Sequence, residues 1–159
     1  MSKTWAMTGW RLGYAVGDPG LMGALGKIQS HSTSNPSSIS QLAAVAAFAA
    51  PGGSVATMLA AYTDRRAWLV PAVRGIPGFR CEPPGGAFYV YPHVGSLYGS
   101  GEVRDSVTFA DYLLREARVA VVPGIAFGTD EYIRLSYATS MENLREGVAR
   151  IDAAVRKLG

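Results

Sequence analysis

Apolar residues recur every three or four positions in the first half of the chain, which is the spacing of one helix face. Three helices are predicted, over about 19–30, 37–50 and 54–74. Asp18 is a good N-cap for the first helix, with Pro19 in its first turn. The second is apolar on most of its faces, so we expect it to be buried or to lie at a subunit contact. Pro71 should either kink the third helix or end it early.

From Phe79 onward the pattern changes to an alternation of apolar and polar residues, which is typical of strands. Strands are predicted over 79–82, 87–91, 119–123 and 132–138, and a further short buried strand over 12–16. Two more helices are predicted, from 105 or 106 to about 118 and from a cap at Ser140 onward. The predicted fold class is therefore α/β, with a small α+β module after two or three helices.

Of the 159 residues, 48% are hydrophobic and 17% charged, which is the composition of a globular chain. The net charge is +3, and the sequence contains no run of like charges. We therefore expect neither nucleic acid nor a membrane as a partner. The longest apolar run, 39–50, is too short to span a bilayer. His31 and His93 lack an acidic ligand pattern, so no metal site is predicted. With Cys81 as the single cysteine, we expect a soluble, cytoplasmic protein.

The stretch richest in candidate chemistry is residues 1–14, MSKTWAMTGWRLGY. Lys3 stands in a segment otherwise poor in charge, and an apolar setting favours the neutral, nucleophilic amine. Arg11 has the fork geometry that suits a phosphate dianion. Eight extended residues span roughly 26–29 Å, so the two side chains can share one cofactor only if the chain folds back. Gly9 and Gly13 would permit such a turn.

The motifs SK, AM and GWRLG within residues 2–13 resemble the cofactor-lysine signature of the class I (fold type I) aminotransferases. Extended through Tyr14, the string is most similar to the bacterial aspartate aminotransferase branch. The resemblance implies that pyridoxal 5'-phosphate is the cofactor and that the catalytic Lys3 binds it as a Schiff base. It further implies that Ser2 and Arg11 hold the cofactor phosphate. Without the resemblance, Lys3 reads as a surface lysine near the end of an element.

Arg134 lies in the middle of the predicted strand 132–138, where burial of a charge is costly without a counter-charge. A substrate carboxylate could supply that charge through two parallel hydrogen bonds. An internal ion pair with Glu82, Asp130 or Glu131 is the alternative. The segment resembles the one in the same family whose arginine binds the substrate α-carboxylate, which implies the first role.

The resemblance extends over essentially all 159 residues, yet in this family the lysine lies past the middle of a chain more than twice as long. The chain is therefore interpreted as the C-terminal portion of such an enzyme. Residues 1–50 would be the end of the large cofactor domain, and residues 51–159 the small C-terminal α+β domain. In the family, the groups that contact the cofactor ring precede the lysine, so we expect this chain alone to bind the cofactor poorly.

The implied function is transamination between an amino acid and a 2-oxo acid, of the aspartate/2-oxoglutarate type, by an enzyme that is a homodimer when complete. Two alternatives stay open. The first is another enzyme of the same cofactor class with a different substrate. The second is a non-catalytic remnant that acts as an interaction module.

Overall fold

The computed structural model describes residues 1–158, and in it the chain divides into two compact units. The first unit is Met1–Leu59, and the second begins at Ala60. The division falls inside a long helix, whereas the predicted domain boundary at 50/51 precedes that helix. That predicted boundary stays a prediction.

The first unit consists of an irregular N-terminal segment followed by helices. Its helices are α1 (Pro19–Ser32), α2 (Ser38–Ala49) and the first turns of α3 (Gly53–Arg74). The predicted start of α1 is confirmed, because the Asp18 carboxylate accepts hydrogen bonds from the backbone N–H groups of Gly20 (2.8 Å) and Leu21 (3.1 Å). Helix α1 runs two residues past its predicted end.

The buried strand predicted over 12–16 is wrong. These residues form no strand, and the side chain of Val16 is 88% exposed. A strand needs a hydrogen-bonded neighbour for its backbone groups, and nothing within residues 1–158 pairs with this segment. The expected burial of α2 is not met either, because only Ser40 and Ala44 of that helix are buried. Its alternative, a subunit contact, stays a prediction.

The second unit combines a three-stranded antiparallel sheet with helices. Its strands are β1 (Tyr89–Val90), β2 (Val122–Pro123) and β3 (Ile133–Ser136), in the order β1-β3-β2. Its helices are the later turns of α3, then α4 (Ser106–Tyr112), and α5 (Met141–Val155) after the predicted Ser140 cap. A π-helical turn, Leu113–Ala117, follows α4. The predicted mixture of strands and helices is confirmed.

The strands are shorter than predicted. Segment 79–82 contributes a single bridge, between Arg80 and His93, because Pro83 and Pro84 directly after it have no N–H to donate. An early end of α3 at Pro71 is also wrong, since the helix continues to Arg74.

The hydrophobic core lies between one face of the sheet and helices α3, α4 and α5. Its fully buried members include Leu69, Val73, Val90, Phe109, Ile133 and Ile151. Because neighbouring strand residues point to opposite faces, the burial of Ile133 places Arg134 on the face away from the core. Within residues 1–158, no single helix is long and apolar enough to cross a membrane, and only α2 and α3 taken together, bent by 81°, pass that test.

Candidate functional site

The N-terminal segment folds back between Lys3 and Arg11. The Ala6 N–H donates to the carbonyl of Lys3 (3.3 Å), and the Trp10 N–H donates to the carbonyl of Met7 (3.3 Å). A short 3-10 turn, Thr8–Trp10, completes the reversal. Lys3 and Arg11 can contact one ligand only if the chain between them is not extended. The structure meets that condition.

The left-handed backbone conformations in this segment fall on non-glycine residues. Ala6 (φ 53°) and Arg11 (φ 51°) have left-handed backbone conformations, whereas neither Gly9 nor Gly13 has a positive φ. Gly9 lies within the 3-10 turn Thr8–Trp10, but neither glycine adopts the left-handed conformation that glycine permits. A left-handed conformation costs about 1–2 kcal/mol in a residue with a Cβ, and such strain concentrates at functional sites.

Arg11 is exposed and has donors to spare. Its Nη1 donates to the carbonyl of Thr8 (3.1 Å), which uses one of about five N–H donors of a guanidinium. Arg11 makes no ion pair within residues 1–158. A groove of about 600 Å³ lies beside it, with Tyr14, Leu25 and Ile28 in its lining. A cation beside an open groove fits a phosphate group.

The rest of the first unit fits pyridoxal phosphate only in part. Ser2 is half-buried next to Lys3, and the Lys3 side chain is exposed, so this unit does not desolvate it. The only acidic residue in residues 1–59 is Asp18, and its carboxylate is engaged as the cap of α1. The unit therefore offers groups for the aldehyde and the phosphate but no carboxylate for the pyridine nitrogen.

Arg134 is half-buried on β3, in the second unit. Its guanidinium carbon lies 4.3 Å from the centre of the Tyr89 ring and 4.6 Å from that of the Phe127 ring. Both distances are within the range of about 6 Å for a cation–π contact. Two aromatic rings therefore lie against the charge, and no carboxylate within the described residues 60–158 pairs with it.

The alternative of an internal ion pair for Arg134 is not realised within residues 1–158. Glu82 pairs with Arg74 instead, at 3.7 Å. The Asp130 carboxylate accepts a hydrogen bond from the Ser106 hydroxyl, at 2.6 Å. Glu131 also forms no ion pair with Arg134. Each acidic candidate for that pairing is therefore engaged elsewhere or not in reach.

Neither Tyr89 nor Phe127 was predicted to contact Arg134. For Tyr89 the signal was available, since alternation along β1 and β3 puts it on the same sheet face as Arg134. Phe127 ends the turn Gly124–Phe127, and no sequence pattern revealed where that turn directs its ring. Cys81 is buried, and burial raises the pKa of its thiol, which disfavours a nucleophilic thiolate. No metal-binding cluster of His, Cys, Asp and Glu occurs in the described part of the chain.

Comparison with known proteins identifies the family. Residues 1–151 match the family described as aminotransferase class I and II. The chain is 45% identical to a probable aspartate/prephenate aminotransferase of Rickettsia felis, over 97% of this chain and 39% of that protein. It is 43% identical to the aspartate aminotransferase of Bacillus subtilis, over 99% of this chain and 40% of that protein.

The crystal structure of the aspartate aminotransferase from Rhizobium meliloti superimposes with a TM-score of 0.92. The two chains are 42% identical, and the match covers 99% of this chain and 41% of that one. The chain thus spans about two fifths of the length of the relatives it matches. The chain belongs to the class I and II aminotransferase family and has the α/β fold of the corresponding part of a fold type I aminotransferase.

Proposed function

We propose that this chain is the C-terminal portion of an enzyme that transfers an amino group between an amino acid and a 2-oxo acid. Its amino acid is aspartate and its cofactor pyridoxal 5'-phosphate. The observation that carries the proposal is 43–45% identity, over nearly the whole chain, to proteins named for aspartate transamination. In this proposal residues 1–50 end the large cofactor domain and residues 51–159 form the small domain.

Four residues have roles in the proposed reaction. Lys3 would hold the cofactor covalently, and its Nζ would move a proton at the substrate α-carbon. Ser2 and Arg11 would hold the phosphate, which the fold-back and the spare Arg11 donors support. Arg134 would grip the substrate carboxylate. When bound, the cofactor supplies an electron sink for negative charge at the α-carbon.

Arg134 cannot determine substrate specificity, because every 2-amino acid and 2-oxo acid carries the carboxylate that Arg134 would bind. The aspartate assignment therefore rests on the names of the relatives. One of them is named for prephenate as well as aspartate, which makes prephenate a second candidate acceptor.

We further propose that the complete enzyme is a cytoplasmic homodimer. The exposed apolar side chains of α2, among them Ile39, Leu42 and Val45, support a subunit contact. The single buried Cys81 supports a reducing compartment. A sedimentation measurement that finds the complete enzyme monomeric at high concentration would refute the dimer.

The decisive experiment locates cofactor attachment by chemistry. The chain is mixed with pyridoxal phosphate, reduced with borohydride, and the modified lysine is found by peptide mass. Lys3, Lys27 and Lys157 are the only lysines, and all three are exposed, so accessibility alone predicts equal labelling. We expect labelling at Lys3 in preference to the other two, and loss of that preference in Arg11→Ala. Equal labelling of the three lysines would contradict an organised cofactor site within this chain and would mean that the site needs residues outside it.

A further inference from the structure

Two aromatic rings from different elements meet at the guanidinium of Arg134. Tyr89 is on β1, and its pairing partner on β3 is Ser136, so the Tyr89 side chain is diagonal to Arg134 on one sheet face. Phe127 ends the short helical turn that follows β2, the strand on the other side of β3. The rings therefore approach Arg134 from both neighbours of its strand.

A ring contact holds a guanidinium without using its hydrogen-bond donors. The attraction arises between the positive charge and the face of the ring, and the N–H groups stay available. The guanidinium of Arg134 makes no hydrogen bond and no ion pair within residues 1–158. An internal carboxylate would have occupied the same fork that a bidentate ligand needs. The ring pair leaves that fork open to a carboxylate from outside.

The turn that carries Phe127 is tightly constrained. The Tyr91 hydroxyl is hydrogen-bonded to the Thr129 hydroxyl (2.5 Å) and donates to the carbonyl of Gly124 (3.3 Å). A Cβ on Gly124 would lie 2.2 Å from the carbonyl oxygen of Thr129 and 2.3 Å from that of Tyr132, so only glycine fits. The Phe127 ring also packs edge-on against Tyr91, with centroids 6.0 Å apart.

From this geometry we infer that Tyr89 and Phe127 are positioning residues that orient Arg134 for the carboxylate of an amino or 2-oxo acid. The inference rests on the proposed role of Arg134 and deepens it. The rings set the direction of the fork before any ligand arrives, so the ligand need not order a mobile side chain. An anion also meets a half-buried positive charge that no described carboxylate neutralises.

The ring contacts are tested by NMR of the whole chain with isotope-labelled arginine. Aromatic ring currents should move the Arg134 side-chain N–H resonance away from those of the exposed arginines. Tyr89→Leu and Phe127→Leu should each reduce that displacement, and Tyr89→Phe and Phe127→Tyr should retain it. Phe127 is 49% exposed, so its leucine variant is not expected to unfold. An Arg134 resonance that is undisplaced, or unchanged in both leucine variants, would overturn the inference.

The consequence for binding is tested by titrating the same samples with L-aspartate at constant ionic strength. We expect a saturable shift at Arg134, absent with ethanolamine, which lacks a carboxylate. The dissociation constant should rise roughly two- to five-fold in each leucine variant and stay near that of the unmodified chain in the aromatic variants. Unchanged affinity in both leucine variants would overturn this inference alone. No shift at Arg134 in the unmodified chain would overturn its proposed role, and the inference with it.

Discussion

The two units of this chain differ in what they bury. The second unit packs a continuous core of buried side chains, and the described residues of the first bury only Met7, Ser40 and Ala44. Eleven large hydrophobic side chains are exposed in the first unit and four in the second. A monomeric protein rarely exposes apolar surface on this scale. The first unit thus presents the candidate cofactor residues on helices that bury few of their own apolar side chains, while the second unit packs a core of its own.

The largest expected effect on stability comes from truncating one phenylalanine to alanine in each unit. Phe109 is fully buried in the second unit, so Phe109→Ala should lower the free energy of unfolding by about 3–5 kcal/mol. Phe48 is 54% exposed in the first unit and contacts the rings of Trp5 and Tyr14, so Phe48→Ala should cost about 1 kcal/mol or less. Urea denaturation measures both. Equal losses would show that the two units depend on one core.

A smaller effect is expected from a methyl group added to a glycine in each unit. Gly124→Ala should destabilise the second unit by about 3 kcal/mol, because the new Cβ meets two backbone oxygens in a packed turn. Gly9→Ala in the first unit serves as the control, since its Cβ would meet nothing within 4 Å. Thermal unfolding followed by circular dichroism compares the variants. A neutral Gly124→Ala would contradict the close packing behind Phe127.

The smallest expected effect concerns the pH dependence of the second unit. The Asp105 carboxylate caps α4 by accepting from the Thr108 N–H (2.7 Å), and this hydrogen bond lowers its pKa below the ordinary 3.8. The stabilisation is therefore complete above pH 3.8 and is lost as the pH falls through the lower folded-state pKa. Asp105→Asn keeps an acceptor that cannot titrate, so it should flatten this part of the stability–pH curve. Identical acid limbs for both proteins would argue against the contribution.

The sequence allowed most helices to be predicted, for a local reason. Asp18 and Ser140 are caps whose hydrogen bonds join residues two or three positions away, so the pattern contains the whole interaction. The wrong strand over 12–16 shows the limit of this reasoning. Apolar composition says that a segment avoids water, but pairing and burial depend on a neighbour distant in sequence.

The candidate site likewise has features that the sequence predicted and features that it did not. The spacing of Lys3 and Arg11 required a fold-back, and the structure has one. Its left-handed residues are Ala6 and Arg11 rather than the glycines, which composition does not reveal. The strand position of Arg134 was predictable from alternation. Its contact with Phe127 was not, since it depends on how a four-residue turn after β2 directs one ring.

The position of Arg134 on the middle strand has a kinetic consequence. Strand β3 is paired on both sides, so its amide hydrogens should exchange with solvent only when the sheet itself opens. Edge strands, termini and loops open far more often than such a segment. In a hydrogen-exchange experiment, residues 133–136 should be among the last to lose protection, well after the loop that bears Lys3.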